Sequence, residues 1–243
     1  MTAYTEDRFL NGRVAVRQPV GGFRSGLDAV MLAAAIPESG GDILELGAGA
    51  GAASLCVAAR LPSSTIVGLE FDEGLTALAN ENARANGVDR RVRFVAGDVL
   101  SIPTELKRDF THVFANPPFH GNEAGATPRD AGRIRALLDP GTLAEWFKEG
   151  GKRTAWGGTF TAIIRADRLG EALRNLPGSG ITIFPLWPRK DEPAKRIIIQ
   201  ARKGSGAPPV LLPGLVLHDA DGHYTAEADA ILRRGRSLAL ARP

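Results

Sequence analysis

From residue 42 onward, short apolar runs alternate with longer amphipathic stretches. "DILEL" (42–46), "TIVGLE" (65–70), "RVRFVAGD" (91–98) and "THVFA" (111–115) are the runs. "GAASLCVAARL" (51–61) and "DEGLTALANENARANG" (72–87), closed by Gly87, lie between the first three, and a short helix is expected near "VLSIPTELKR" (99–108). Apolar runs bounded by turn residues read as buried strands, and stretches of 3.6 periodicity read as helices. Three successive β-α units predict a parallel, doubly wound sheet. Right-handed crossovers then bring the strand C-termini to one edge, where ligands bind at the topological switch point.

The flanks are less regular. "DRFLNGRVAVRQP" (7–19) has two β-like runs around Asn11-Gly12, a dipeptide suited to a tight hairpin turn. A glycine-rich segment follows, then a buried helix over 27–36 ended by Pro37. In the second half, helices are expected over 141–153 and 167–176, and strands over 157–166, 180–187 and 194–203. The last two strands have no helix between them, which predicts a terminal antiparallel hairpin. The stretch 120–138 reads as a long polar loop. The division expected is a hairpin and lid segment over 1–36 and a catalytic-type α/β domain over 37–243, one structural domain in all.

Composition narrows the class. The 243 residues are 44% hydrophobic and 23% charged, within the globular range. The formal charge is only +3, which permits nucleic-acid binding without demanding it. The single cysteine, Cys56, excludes an internal disulfide and a cysteine-based zinc cluster. The N-terminus is polar and acidic before it is apolar, unlike a signal peptide. No run approaches the roughly 18 apolar residues of a membrane helix. The expectation is a soluble cytoplasmic protein without a metal; "HDADGH" (218–223) reads as a polar turn.

Candidate chemistry lies at the strand tips. The first strand ends in "LELGAGAGAASL", where Gly47, Gly49 and Gly51 permit a tight turn and close backbone approach by a ligand. The same turn satisfies G-x-G-x-x-A, the form of a nicotinamide-binding site, through Gly47, Gly49 and Ala52. The neighbouring acids weigh against that. Glu45 precedes the turn, where it would repel a pyrophosphate but suit a cationic amino-acid group. Glu70 ends the second strand, placed for ribose hydroxyls, and Asp98 ends the third, placed for an adenine amino group, with Phe71 and Val99 beside the ring. Three acids and no Lys or Arg in the turn fit S-adenosylmethionine better than a dinucleotide.

The fourth strand ends in "FANPPFH". Two consecutive prolines lack N–H groups and cannot continue a strand, so Asn116 is presented on a stiffened loop with Phe119 behind it. If the Asn116 side-chain oxygen and the Pro117 carbonyl each accept an N–H, a planar, poorly nucleophilic nitrogen is fixed for attack. Pro118 stiffens the loop, and Phe119 stacks on a planar substrate.

In order and spacing, "ELGAGAG", "GLEFD", "AGDVL" and "NPPF" resemble class I S-adenosylmethionine-dependent methyltransferases, whose [DNS]-PP-[YF] loop serves enzymes that methylate exocyclic or amide nitrogens. The segments "FRSGLDAVMLAAAIP", "PRKDEPAKRIIIQARKG" and "LVLHDADGHYTAEADAIL" extend the resemblance to the bacterial group containing the tRNA1(Val) adenine-N6 methyltransferase. It implies a Rossmann-like, seven-stranded, mostly parallel sheet with a terminal antiparallel hairpin. The activity it implies is methylation of a nucleobase amino nitrogen, with adenine N6 in tRNA leading, by a cytoplasmic enzyme with an RNA partner and no obligate protein partner. Asp28, at the start of the leading helix, is carried over as a residue at the methionine end of the cofactor. The chain departs from the group's pattern with Phe119 and His120 in place of tyrosine and a second aromatic. His120, Arg129, Arg133, Lys195 and Arg196 are candidates for substrate contact, with Arg135, Arg202 and Lys203 extending a basic rim. Release-factor-type glutamine methylation, small-molecule amine methylation and a non-catalytic RNA-binding role are the alternatives.

Overall fold

A computed structural model describes residues 3–22, 24–118, 142–176, 178–238 and 240. Phe119, His120, Arg129, Arg133 and Arg135 lie outside the described residues.

The N-terminal hairpin forms as expected from Asn11-Gly12. Strands β1 (Tyr4–Phe9) and β2 (Val14–Pro19) pair antiparallel, with Phe9 opposite Val14. Leu10, Asn11 and Gly12 all take positive φ, a conformation that Asn and Gly tolerate best.

The main sheet contains β3 (Asp42–Leu46), β4 (Thr65–Glu70), β5 (Val92–Ala96), β6 (Phe110–Ala115), β7 (Thr154–Arg165), β8 (Ser179–Trp187), β9 (Arg196–Arg202), β10 (Val210–Leu211) and β11 (Leu215–Val216). Its order is β10-β8-β9-β7-β6-β3-β4-β5, with β11 also on β8. Only β9 runs antiparallel to its neighbours. The expected seven strands are thus present, and two two-residue strands bring the sheet to nine. Those additions lie among Pro208, Pro209 and Pro213 and are too short to leave a pattern in the sequence.

Helices α1 (Leu27–Ala34), α2 (Ala52–Arg60), α3 (Glu73–Ala85), α4 (Thr142–Arg153), α5 (Leu169–Asn175) and α6 (Ala226–Arg234) cover both faces. Alternation along each strand supplies two cores. Ile43, Ile66, Phe114, Ile163 and Ile198 pack with α1, α2, α3 and α6, whereas Leu44, Leu46, Val113 and Ile199 pack with Trp146 and Phe147 of α4. The segment 99–108 yields one 3-10 turn, Thr104–Leu106, instead of a helix, because Pro103 immediately before it supplies no N–H. The sequence reading did not resolve α6, although Thr225 caps the Ala228 N–H and Gly235 closes the helix in the left-handed conformation.

One consequence of this order positions the site. From β3 the chain moves outward through β4 to β5, then returns to β6 on the other side of β3. The switch point lies between β3 and β6, and Leu46 opposes Ala115 there. The residues that follow, Gly47 and Asn116, therefore emerge side by side.

Candidate active site

The turn after β3 is held by its own backbone. Gly47 and Ala48 both donate N–H to the Leu69 carbonyl, at 2.8 and 3.0 Å, and Gly51 donates to Ala48 at 2.9 Å. The Gly49 N–H donates to the Glu70 carboxylate at 2.7 Å. Glu70 also accepts the Asp72 N–H at 2.9 Å. Burial raises the Glu70 pKa, opposed by those two N–H bonds and a weaker one from Phe71, with the nearby Asp72 charge adding to the rise.

Gly47 has φ +70, and a Cβ there would lie 2.4 Å from the Trp146 ring, so the turn needs glycine for conformation and for space. Gly49 is also left-handed at φ +55, but a Cβ there would meet nothing within 4 Å.

Glu45 lies deeper than its place before the turn suggested. It shares the face of β3 that carries Ile43, beneath α2, and is 2% exposed. Its carboxylate accepts the Ser54 N–H at 3.1 Å and the Ser54 hydroxyl. Burial pushes its pKa up to about 8, against the Ser54 bonds and with help from the Glu70 charge. Asp98 is half-buried; one oxygen accepts the Leu100 N–H at 2.8 Å in a local turn. Val99 is 5% exposed and packs in the core with α4, and Phe71 is half-buried at the β4 tip.

At the β6 tip, the Asn116 side-chain oxygen is buried and, among the described residues, has no hydrogen-bond partner. Pro117 is buried and Pro118 half-buried behind it. An orphaned buried acceptor is costly, about 1–3 kcal/mol, and points to a donor that arrives with a ligand. The indole N–H of Trp146, packed on Gly47, is likewise buried without a partner among the described residues. Sequence reading placed Trp146 only on a helix; the sole local sign was an aromatic residue in the α4 stretch.

The remaining candidates divide. Asp28 and Arg196, 168 residues apart, meet at 2.9 Å, so the carried-over cofactor residue and a proposed substrate residue form one ion pair. Arg165 pairs with Asp167, Arg168 with Glu171 and Arg189 with Glu192 on the same sheet edge. Lys190 and Lys195 are exposed there and, among the described residues, form no direct ion pair. Arg202 and Lys203 do not continue this rim. They lie at the far end of β9, about 20 Å away at about 3.4 Å per residue. There Arg202 donates to the Gly157 carbonyl at 2.8 Å, and Lys203 to Gly151 and Thr154 at 3.1 and 2.7 Å.

Among the described residues no group of three His, Cys, Asp or Glu is placed to hold a metal. The 218–223 turn satisfies itself, with Asp219 accepting the Asp221 and His223 N–H groups. No helix of the described residues is long and apolar enough to cross a membrane.

These facts test the cofactor. A dinucleotide-binding turn offers free N–H groups to a pyrophosphate. Here the Gly49 N–H is already held by a carboxylate, which would repel a phosphate. A phosphate-free ligand with hydroxyl, amino and cationic groups fits the acidic strand tips, and S-adenosylmethionine is such a ligand. Residues 25–131 match the Methyltransferase small domain family. With the sheet order and the site, this defines a class I S-adenosylmethionine-dependent methyltransferase.

Individual relatives agree on the class. The chain is 28% identical over 236 residues to a tRNA1(Val) (adenine(37)-N6)-methyltransferase of Porphyromonas gingivalis, covering 91% of each chain. It is 30% identical over 146 residues to a release factor glutamine methyltransferase of Chlorobaculum tepidum, covering 56% of this chain and 49% of the relative. The crystal structure of a predicted O-methyltransferase from Agrobacterium tumefaciens superposes with a TM-score of 0.74 at 24% identity, covering 89% of this chain and all of that one.

Proposed function

We propose that the enzyme methylates an exocyclic amino nitrogen of a nucleobase, adenine N6 in tRNA. The observation that carries this reading is the buried, unpartnered Asn116 oxygen beside Gly47 at the switch point. An acceptor alone suits a substrate that brings N–H groups; a hydroxyl acceptor would also need a base to remove its proton. The near-full-length likeness to a tRNA adenine-N6 enzyme supports tRNA, and the shorter likeness to a glutamine methyltransferase supports the nitrogen.

In this reading Asn116 Oδ1 accepts one N–H of the amino group, and the Pro117 carbonyl accepts the other. This fixes the nitrogen and turns its lone pair out of conjugation with the ring. Pro117 and Pro118 keep both acceptors in place. Phe119 stacks on the base. Glu70 and Asp98 would hold the adenosine part of the cofactor, Glu45 would lie nearest its amino-acid end, and the turn at 47–51 would bring the chain's backbone against it. The cofactor supplies an electrophilic methyl carbon on a sulfonium. Asn116 and Pro117 would hold the nitrogen toward that methyl group, and the surplus proton of the methylated nitrogen would leave to water. Lys190 and Lys195 contact RNA phosphates at the rim, with His120, Arg129 and Arg133 on the substrate side. In this reading the enzyme works in the cytoplasm, where its RNA substrate is found.

The test is incubation of the purified protein with methyl-labelled S-adenosylmethionine and, separately, unmodified total tRNA, rRNA and a release-factor protein. Label recovered as N6-methyladenosine in tRNA is the expected result. Label in the release factor would move the acceptor to a glutamine amide, and label in neither would remove both substrates.

A further inference from the structure

Asn82 sits on α3 and was not a site candidate; a polar residue in an amphipathic helix ordinarily faces solvent. Here it is 1% exposed, and three of its hydrogen-bonding positions are used. Its oxygen accepts the Arg17 N–H at 2.9 Å. Its amide group donates to the Arg17 carbonyl at 3.0 Å and to the Ala50 carbonyl at 2.9 Å. One turn on, Asn86 treats Ala15 in the same manner, accepting its N–H at 3.0 Å and donating to its carbonyl at 2.7 Å. Residues four apart share a helix face, and Ala15 and Arg17 expose their polar groups on one strand edge. The two asparagines therefore stand in for a neighbouring strand along the free edge of β2.

They differ in one respect. Asn86 sends its other hydrogen back to the Asn82 carbonyl on its own helix, at 2.8 Å, whereas Asn82 sends it to Ala50. Ala50 lies between Gly49 and Gly51 in the cofactor turn, is buried, and depends on Asn82 to satisfy its carbonyl. The hairpin also holds the segment leading into α1. Gln18 accepts the Ser25 N–H and donates to its carbonyl, at 2.8 and 3.0 Å, and Asp7 pairs with Arg24.

We infer that Asn82 is a positioning residue that fixes the Ala50 peptide in the cofactor turn and couples the N-terminal hairpin to cofactor binding. Asn82→Asp keeps the size and still accepts the Arg17 N–H, but it loses both donations, to the Arg17 carbonyl and to Ala50. Asn86→Asp likewise loses two donations, to the Ala15 carbonyl and to Asn82 on its own helix, but neither reaches the cofactor turn.

The matched variants Asn82→Asp and Asn86→Asp separate the two functions. Both lower the melting temperature of the apo protein. The affinity for S-adenosylhomocysteine, read by calorimetry, falls tenfold or more in Asn82→Asp and less than threefold in Asn86→Asp. Equal losses in the two would overturn the proposal, since both would then reflect the hairpin alone. Should Asn82→Asp fail to fold, hydrogen exchange on the wild-type protein gives the answer. Coupling is reciprocal, so saturating S-adenosylhomocysteine must slow exchange at the Arg17 amide more than at the Ala15 amide. No difference between them would overturn it. The readout uses the cofactor product alone, so it is independent of whether the acceptor is tRNA.

Discussion

The backbone N–H of Gly49 donates to the Glu70 carboxylate at 2.7 Å, which joins the turn after β3 to the tip of β4 as one unit. The carboxylate accepts from Asp72 on the other oxygen, so it is aimed before any ligand arrives. With the Phe71 N–H also engaged, three of its roughly four acceptor positions are taken and one is left for a ribose hydroxyl. Glu70→Ala removes both the aim and the acceptor and should weaken S-adenosylhomocysteine binding by about 1–3 kcal/mol. Turnover at saturating cofactor should stay within a few-fold. Calorimetry is the check, and unchanged affinity would take Glu70 out of the cofactor site.

Asn116 should show the opposite separation. Its oxygen has no partner among the described residues, so truncation breaks no described hydrogen bond of that oxygen. Asn116→Ala is expected to keep cofactor affinity within a few-fold while lowering turnover by about 100-fold or more, the scale seen when one positioned transition-state contact is lost. Single-turnover methylation beside calorimetry measures both. A collapse of cofactor affinity would make Asn116 part of the cofactor site instead.

Gly47 and Gly49 share a positive φ but not their surroundings. Alanine at 47 meets the Trp146 ring at 2.4 Å, whereas alanine at 49 meets nothing within 4 Å. Left-handed strain of about 1–2 kcal/mol is common to both. Overpacking adds roughly 1–3 kcal/mol at 47 alone. Gly47→Ala should therefore be clearly less stable to urea than Gly49→Ala, and Trp146→Ala should restore part of the difference in a double-mutant cycle. Equal destabilisation by the two alanines would show that Trp146 yields freely.

These cases also show what the sequence made legible. Glycine spacing and acids at strand tips are local signals, and the turn, Glu70, Asp98 and the proline loop all stand at the C-terminal edge that the β-α alternation predicts. Glu45 is harder because alternation assigns it a face but not what covers it; Ser54, nine residues on, supplies the answer only once α2 is folded over β3. Asn82 carries no local sign, since its partners lie 65 and 32 residues away. Arg202 and Lys203 followed Lys195 and Arg196 too closely in sequence to separate, yet an extended strand carries them to the opposite edge. Helix α6 had its cap and its glycine in view, but only nine residues and a modest apolar face.

The pH dependence of stability should expose Glu45. Its carboxyl has a pKa of about 8 in the folded chain against 4.5 ordinarily, chiefly through burial. Between those values the unfolded chain has released this proton and the folded chain keeps it, so stability falls as pH rises and levels off above about 8. His112 acts in the opposite sense. Burial first, then the Arg202 charge, lowers its pKa from 6.5 to about 4, so its contribution is lost as pH falls through that interval. Above pH 6.5 His112 sheds only the remaining half of its unfolded-state proton, an opposing contribution of about 0.4 kcal/mol, and Glu45 dominates the tilt. Urea unfolding at pH 6.5 and pH 8 should give the wild-type protein less stability at the higher pH, with a slope of at most about 1.4 kcal/mol per pH unit from this group. Glu45→Gln keeps an acceptor for Ser54 without the titrating proton and should flatten that slope. A wild-type slope that persists unchanged in Glu45→Gln would assign it to another group, with Glu70, also raised by burial, the next to replace.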